Sequence, residues 1–388
     1  IAIFSGNKSN YSITETGYAQ YQVVDNQGTD GTDNLSDVET LRFSDQDFDI
    51  TPSGQNLQGT NSGDTLTGGA GDDGLYGYAG DDTLQGLGGG DEIQGGGGDD
   101  TIEGGDGDDT LYGGDGDDTI TGGDGVDVIY GGEGDDLLQD IGDSTIYAEA
   151  GDDIIYARKD SSTYGTAAGL TVFGGDGNDD IYSYYGSFKK VDAGAGDDYI
   201  YTESLAAEAA VLIGGDGNDK LGTRWISNDI DWSLITGFEE LHFGDHGGSA
   251  NVTFPDSFGQ AGTTLKITTN SWSHPLNLDF SSESDASLDI TGVDGYSPND
   301  SLTGGSQADV INSMGGDDIV KGNAGNDTLN TGEGDDIITG GVGDDTIDGG
   351  LGTDIAIFSG NQADYSISTS VSGLFETITI SGTDGNDT

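Results

Sequence analysis

From Gly59 to Gln139 the chain keeps a nine-residue register without a slip: GTNSGDTLT, GGAGDDGLY, GYAGDDTLQ, GLGGGDEIQ, GGGGDDTIE, GGDGDDTLY, GGDGDDTIT, GGDGVDVIY and GGEGDDLLQ. The sixth position is always aspartate: Asp64, Asp73, Asp82, Asp91, Asp100, Asp109, Asp118, Asp127 and Asp136. The eighth is always Leu or Ile: Leu66, Leu75, Leu84, Ile93, Ile102, Leu111, Ile120, Ile129 and Leu138. A unit with one obligate apolar side chain cannot bury a core alone, and a helix would need apolar residues every three or four positions. The units must therefore stack.

Positions seven to nine read as a short strand whose middle side chain points inward. Positions one to six are too rich in glycine for a regular element and read as turn. Successive strands then fall on opposite faces of a flattened coil, with Leu and Ile meeting between them. Each turn also brings an aspartate near the aspartate two repeats away, and a bound cation relieves that repulsion. Calcium takes about six to eight oxygen ligands in flexible geometry, and glycine-rich turns offer unhindered carbonyls beside the carboxylate. A generic acidic linker would account for the charge but not for the register.

The formal net charge is -63 with only 10 Lys plus Arg, which excludes nucleic acid and anionic membranes as partners. Apolar residues make up 32% and glycine occupies 73 positions, so without metal the composition points to disorder. Folding and metal binding are then one event. Calcium is plentiful outside cells and scarce inside, so this reading expects a chain exported unfolded that folds outside. There is no cysteine, hence no disulfide or thiolate site, and the redox compartment stays open. No apolar run of membrane-spanning length and no signal peptide is present. The sequence opens at Ile1 inside a motif and reads as an excerpt of something longer.

The chain divides into six segments. Residues 1–58 read as a β-rich cap, in which Gly28 to Ser36 is a degenerate nonapeptide with Asp33 and Leu35 in the sixth and eighth places, followed by a strand with Val38, Leu41 and Phe43. Residues 59–156 are the main array; it loses one residue at DIGDSTIY and resumes at AEAGDDIIY with Asp153. In 157–222 the period breaks into islands with Asp179, Asp198 and Asp219, separated by loops carrying Arg158, Lys159, Lys189 and Lys190 that read as outward excursions from a continuing coil. These aspartates join the candidate ligands, although no island has an adjacent repeat to partner its carboxylate. Residues 223–294 hold Trp225, Trp232 and Trp272 and read as a β-rich domain or a metal-free continuation of the solenoid, with aromatic residues filling a wider core. LITGFEELHFGD there matches LSDVETLRFSD earlier, Glu239 answering Glu39. Regular repeats return over 295–357 with Asp300, Asp309, Asp318, Asp327, Asp336, Asp345 and Asp354. Finally 358–388 begins a second copy of the opening: Ile355 to Asn361 repeats Ile1 to Asn7, and Tyr365 answers Tyr11. Such an offset marks either a tandem module or a capping motif used after each array.

The two arrays, and the islands more loosely, resemble the RTX (repeats-in-toxin, hemolysin-type calcium-binding) family. That resemblance implies an all-β fold, a parallel β-roll or β-solenoid with calcium between turns on the same side, interrupted here by the β-rich segment. It also implies secretion by a type I exporter. It names no function, because the family's repeats are shared scaffolding. No HExxH, GxSxG or P-loop motif is present. His242 and His246 flank Asp245 and would form a metal pair only if the segment folded back; a strand followed by an exposed turn is the plainer reading.

The ninth positions on one face form a column of Tyr76, Gln94, Tyr112 and Tyr130, and the seventh positions on the other a column of Thr65, Thr83, Thr101 and Thr119. Such columns can bind sugar or ice, but also simply pack as strand ladders. The sequence thus points to a non-catalytic, calcium-bound structural module of an extracellular filament, surface layer or adhesin stalk. It would associate with itself or with tandem copies, and a surface polysaccharide is a further candidate partner. The alternatives are the folding and secretion tail of an enzyme or toxin, and a carbohydrate- or ice-binding module.

Overall fold

The computed structural model describes residues 2–4, 7–17, 20–26, 32–36, 40–42, 47–49, 54–158, 169–184, 187–205, 210–226, 230–244, 250–256, 258, 261–269, 275–292, 298–359, 362, 365–372, 375–382 and 385–387. They form an all-β chain with a parallel β-solenoid, in two compact units, residues 1–172 and 173–388. Among the described residues no helix is long and apolar enough to cross a membrane.

The first unit opens with an antiparallel sheet of Tyr11–Gly17, Gln20–Asp25 and Thr32–Ser36. A second small sheet joins Ala2–Ile3 in parallel to Thr40–Arg42, which pairs antiparallel with Asp47–Asp49. Phe4, Tyr11, Val23 and Leu41 form a core shared by the two sheets. The nonapeptide reading of Gly28 to Ser36 is therefore corrected. Thr32–Ser36 is spent on a hairpin, because Gln20–Asp25 is near enough to pair with it before any coil begins. Val38 and Phe43 lie outside the described residues.

The repeats then wind between two parallel walls. One is built of Asn56–Gln58, Gly74–Ala79, Glu92–Gly97, Thr110–Asp115, Val128–Glu133 and Thr145–Ala150. The other is built of Thr65–Thr67, Thr83–Gly88, Thr101–Asp106, Thr119–Gly125, Leu137–Gly142 and Ile154–Arg158. The eighth-position residues from Leu75 to Leu138 are all buried. The strands run on through positions two and three of the next repeat: Leu87 pairs with Gly105 and Gly88 with Asp106. Only position one drops out of the register, and the turn shrinks to positions four to six. Glycine at positive φ bends the strand there without ending its hydrogen bonding, which is why composition overstated the turn.

In the second unit one wall runs from Asp180–Tyr184 through Tyr199–Leu205, Lys220–Ile226, Glu240–Phe243, Thr264–Thr269, Ser287–Thr291, Val310–Asn312 and Thr328–Asn330 to Thr346–Asp348, parallel throughout. Opposite it lie Ser187–Ala195, Val211–Asp216 and Ile235–Thr236, and later Ala250–Thr253, Leu276–Asp279, Ser301–Thr303, Ile319–Ala324, Ile337–Val342 and Ile355–Ala356. Among the described residues, the stretches read as outward loops are largely wall. Ser187–Ala195, with Lys189 and Lys190, is a strand of the opposite face, and Arg158 ends Ile154–Arg158. Lys159 lies outside the described residues.

Residues 223–294 continue the coil, with a core that widens to seat aromatics. Phe254 stacks on Phe280 at 4.0 Å between ring centroids, and Trp232 packs on Phe254 at 4.5 Å and on Phe258 at 5.0 Å. Aromatic burial of this kind holds turns together where the nonapeptide aspartate column is interrupted. The side chains of Trp225 and Trp272 lie outside the described set. The unit ends in an antiparallel sheet of Ser366–Ser372, Phe375–Gly382 and Gly385–Asp387.

Candidate metal sites between the turns

The sixth-position aspartates line the junction between turn and wall, and nearly all are buried. Each reaches one coil back. In the first array the N–H groups of Asp64, Asp73, Asp82, Asp91, Asp100, Asp109 and Asp118 donate to Oδ1 of Asp82, Asp91, Asp100, Asp109, Asp118, Asp127 and Asp136, over 18 residues and 2.6 to 2.8 Å. The column continues from Asp136 to Asp153 at 2.8 Å. In the second array Asp300, Asp309, Asp318, Asp327 and Asp336 donate in the same way to Asp318, Asp327, Asp336, Asp345 and Asp354, at 2.7 to 3.2 Å. The islands join too: Asp179 donates to Asp198 over 19 residues and Asp198 to Asp219 over 21. The opposite wall supplies the spacing, so an island finds its partner one full coil away and needs no adjacent repeat.

One carboxylate oxygen is used by this column, and the other decides the chemistry. Oδ2 of Asp82, Asp91, Asp100, Asp109, Asp118, Asp136, Asp219, Asp327 and Asp336 is buried without a hydrogen bond. Beside it stands the position-one glycine of its own repeat, except at Asp336, whose repeat opens on Thr331. A β-carbon at Gly95 would overlap Asp100 Oδ2 and meet the Gly113 carbonyl oxygen, and one at Gly104 would overlap Asp109 Oδ2 and meet the Gly122 carbonyl oxygen. Carboxylate and carbonyl oxygens therefore converge at these glycines in the space a β-carbon would fill. Hard oxygen donors with no hydrogen between them suit calcium and not a hydrogen-bonded network.

At the array starts the second oxygen is satisfied by backbone instead. Asp64 Oδ2 accepts from Thr60 N–H at 2.6 Å, Asp73 Oδ2 from Gly69 N–H, and Asp309 Oδ2 from Gly305 N–H at 2.8 Å. The first coil of each run thus makes poorer ion seats than its interior.

Burial sets the electrostatics. It pushes the carboxyls of Asp118, Asp127, Asp219, Asp300 and Asp327 up to about 7, against the pull of the N–H groups they accept, with neighbouring carboxylates adding to the rise. Asp100, Asp109, Asp136, Asp309 and Asp318 are pushed up to about 6 for the same leading reason. A cation among them lowers these values by its own field.

Three kinds of residue at these junctions escaped the sequence reading. Position five forms a second column, exposed and pointing the other way: Asp81, Asp99 and Asp117 accept from the N–H groups of Asp99, Asp117 and Asp135 one coil ahead. Asn178, Asn299 and Asn326 do the same, so the position needs an acceptor and not a charge. That interchange of Asp and Asn was the available signal. Glu239 takes the sixth-position seat above Asp219, accepting its N–H at 2.9 Å. Ser144 takes the seat above Asp127 at the register slip. The Glu239 seat was foreshadowed only by the likeness of the two ExLxF segments.

The remaining candidates separate from this system. His242 Nδ1 bonds Thr268 Oγ1 at 2.9 Å and its pKa is lowered, first by burial and then by Lys220. Asp245 and His246 lie outside the described residues. Tyr112, Tyr130 and Tyr147 stack nearly parallel at 4.8 and 5.0 Å, so the middle ring, Tyr130, spends both faces on its neighbours. Thr65, Thr83, Thr101 and Thr119 pair in sequence on the opposite wall.

The two aspartate columns predict different mutants. Asp118→Asn keeps an acceptor for Asp100 but removes the ligand charge, and should raise the calcium midpoint of folding on the order of tenfold, about 1.4 kcal/mol. Asp117→Asn mimics Asn326 and should move it less than about twofold. Equal shifts in calcium titrations followed by circular dichroism would refute the division of labour.

A family model described as the RTX calcium-binding nonapeptide repeat (4 copies) matches residues 58–93, 76–111, 85–120, 103–138, 140–163, 171–186, 190–204, 294–329 and 321–356, together just over half of the chain. No curated protein matches it.

Proposed function

The chain belongs to the family of RTX calcium-binding nonapeptide repeats, and from this we propose that it is a non-catalytic structural module of a secreted repetitive protein, building a filament, surface layer or adhesin stalk. Calcium would seat between stacked turns, at the convergence of sixth-position carboxylates with position-one carbonyls, and stiffen the coil. Calcium-poor surroundings would keep the chain unfolded for export, in keeping with a type I route. Calcium outside would then fold it.

The observation that carries the structural role is the double use of IAIFSGN. In its second copy Ile355 and Ile357 donate N–H bonds to Asp336 O at 2.9 Å and Ile338 O at 2.8 Å, extending the wall before them. In its first copy Phe4, the counterpart of Phe358, donates to Arg42 O at 2.7 Å, binding the segment that follows. Alternate N–H groups of a strand point to opposite edges, so one such strand can close the preceding coil and anchor the next module at once. Both copies also keep the same local packing: Phe4 on Tyr11 at 5.3 Å and Phe358 on Tyr365 at 5.5 Å. The partner this fits is another copy of the module, in tandem or on a second chain.

Electron microscopy with calcium and after chelation tests the reading. Ordered end-to-end rods or sheets that vanish on chelation are expected. Monodisperse single-chain particles in both states would count against assembly.

A further inference from the structure

We propose that Asp140 supplies a carboxylate to a calcium site at the register slip, where an ion is held between Asp127 and Asp140. The proposal rests on the calcium reading above but concerns residues that fall outside the nonapeptide pattern.

The slip shortens one coil: Val128 pairs with Thr145 and Leu137 with Ile154, 17 residues apart where the regular turns have 18. Its register break lies between Thr121 and Asp124, opposite Gln139 to Ile141, so Asp140 stands where neighbouring turns carry a glycine pair. The sixth-position seat of this coil has lost its charge. Ser144, fully buried, accepts the Asp127 N–H at 2.7 Å through its hydroxyl, which keeps the column hydrogen bond but brings no carboxylate.

Asp140 restores that charge from another direction. It is only 2% exposed, in a chain where most carboxylates off the sixth position face solvent. Its Oδ1 accepts from Gly123 N–H at 3.2 Å. Its Oδ2 has no hydrogen-bond partner, and neither has Oδ2 of Asp127. The two side chains converge on Gly122, where a β-carbon would lie 2.5 Å from both Asp127 Oδ2 and Asp140 Oδ1. At the corresponding point in the regular coil, Gly113, the pair is Asp118 Oδ2 and the Gly131 carbonyl oxygen. A carboxylate thus replaces a carbonyl just where the next carboxylate is missing, and the donor set keeps two acidic side chains.

Two buried carboxylates in contact, relieved on the Asp140 side only by the Ser144 hydroxyl and the Ile141 and Gly123 N–H groups, must share either a proton or a cation. Counting ions separates the two. Tightly bound calcium is measured by mass spectrometry on gel-filtered wild type, Asp140→Asn, the double variant Asp140→Gly with Ser144→Asp, and Asp143→Asn as an exposed neighbour. Asp140→Asn should bind one ion fewer and show a smaller difference in melting temperature between calcium and EGTA. The double variant, with its charge moved back to the sixth position, should regain the ion, and Asp143→Asn should match wild type. Wild-type stoichiometry in Asp140→Asn overturns the proposal in favour of a shared proton. Should Asp140→Asn fail to fold, Asp127→Asn and the double variant decide: an undiminished count in the first, or a count still one short in the second, overturns it. A wild type that binds no calcium at all would instead refute the family-based reading.

Discussion

In excess EGTA at pH 8 the chain should lose most of its far-ultraviolet β signal and its cooperative melting, and regain both when calcium is added. A net charge of -63 is carried on a coil whose buried aspartates face one another every 18 residues, and few cations of its own lie near them. Each ion bound about a hundredfold above its dissociation constant adds about 2.7 kcal/mol. On the order of ten such seats would exceed the net stability of an ordinary domain, about 5–15 kcal/mol, so the ions decide whether the coil exists.

Proton competition gives the result a pH dependence with a definite sign. The buried carboxyls of Asp118, Asp127 and Asp327 are raised to about 7 in the metal-free fold. Their contribution is present below the unfolded carboxylate value, near 4, and is lost as pH rises through about 7. The calcium-free coil should therefore be more stable at about pH 4 than at pH 5 and weakest at pH 8, while calcium binding strengthens over the same range. The melting-temperature gap between calcium and EGTA should widen from pH 5 to pH 8. A gap independent of pH, or equal β content with and without calcium at pH 8, would remove the basis for the site.

The second large effect is expected at position four. Gly107 has φ of +132°, and a β-carbon there would overlap the Gly89 carbonyl oxygen of the preceding coil. Gly107→Asn should cost upwards of about 1–3 kcal/mol, the backbone strain alone, and more once the coils are pushed apart. Position two is the control. Tyr78, Leu87, Glu149, Met314 and Asn323 occupy it at φ between 75° and 82°, and Asn323 even donates to Gly304 O at 2.7 Å. Leu87→Asn, at a position that already seats a side chain at positive φ, should therefore stay within about 1 kcal/mol of wild type. Thermal unfolding in saturating calcium reads both, and equal losses would show that crowding along the coil axis does not set the glycine pattern.

Much of this molecule is written locally. The invariant sixth and eighth positions demanded stacking and identified the buried column from Asp82 to Asp136. The residues around Trp232 and Phe280 were readable as an aromatic core. The islands were misjudged because adjacency in sequence stood in for adjacency in space; the wall Ser187–Ala195 carries Asp198 back over Asp179. The position-five column was missed because a ladder of side-chain acceptors leaves almost no hydrophobic pattern behind.

Sequence alone determined that the chain is a coil with an inward aliphatic row and an acidic row at each turn, since both follow from a nine-residue period that no isolated unit can satisfy. Which atoms actually meet was decided by tertiary structure. Coil length varies from 17 to 26 residues among the described pairings, so the partner of a carboxylate is whatever the wall pairing delivers one coil later: Asp153 above Asp136, Glu239 above Asp219, Ser144 above Asp127. Only the parallel ladder, which holds the walls in register while the turns lengthen or shorten, sets that match.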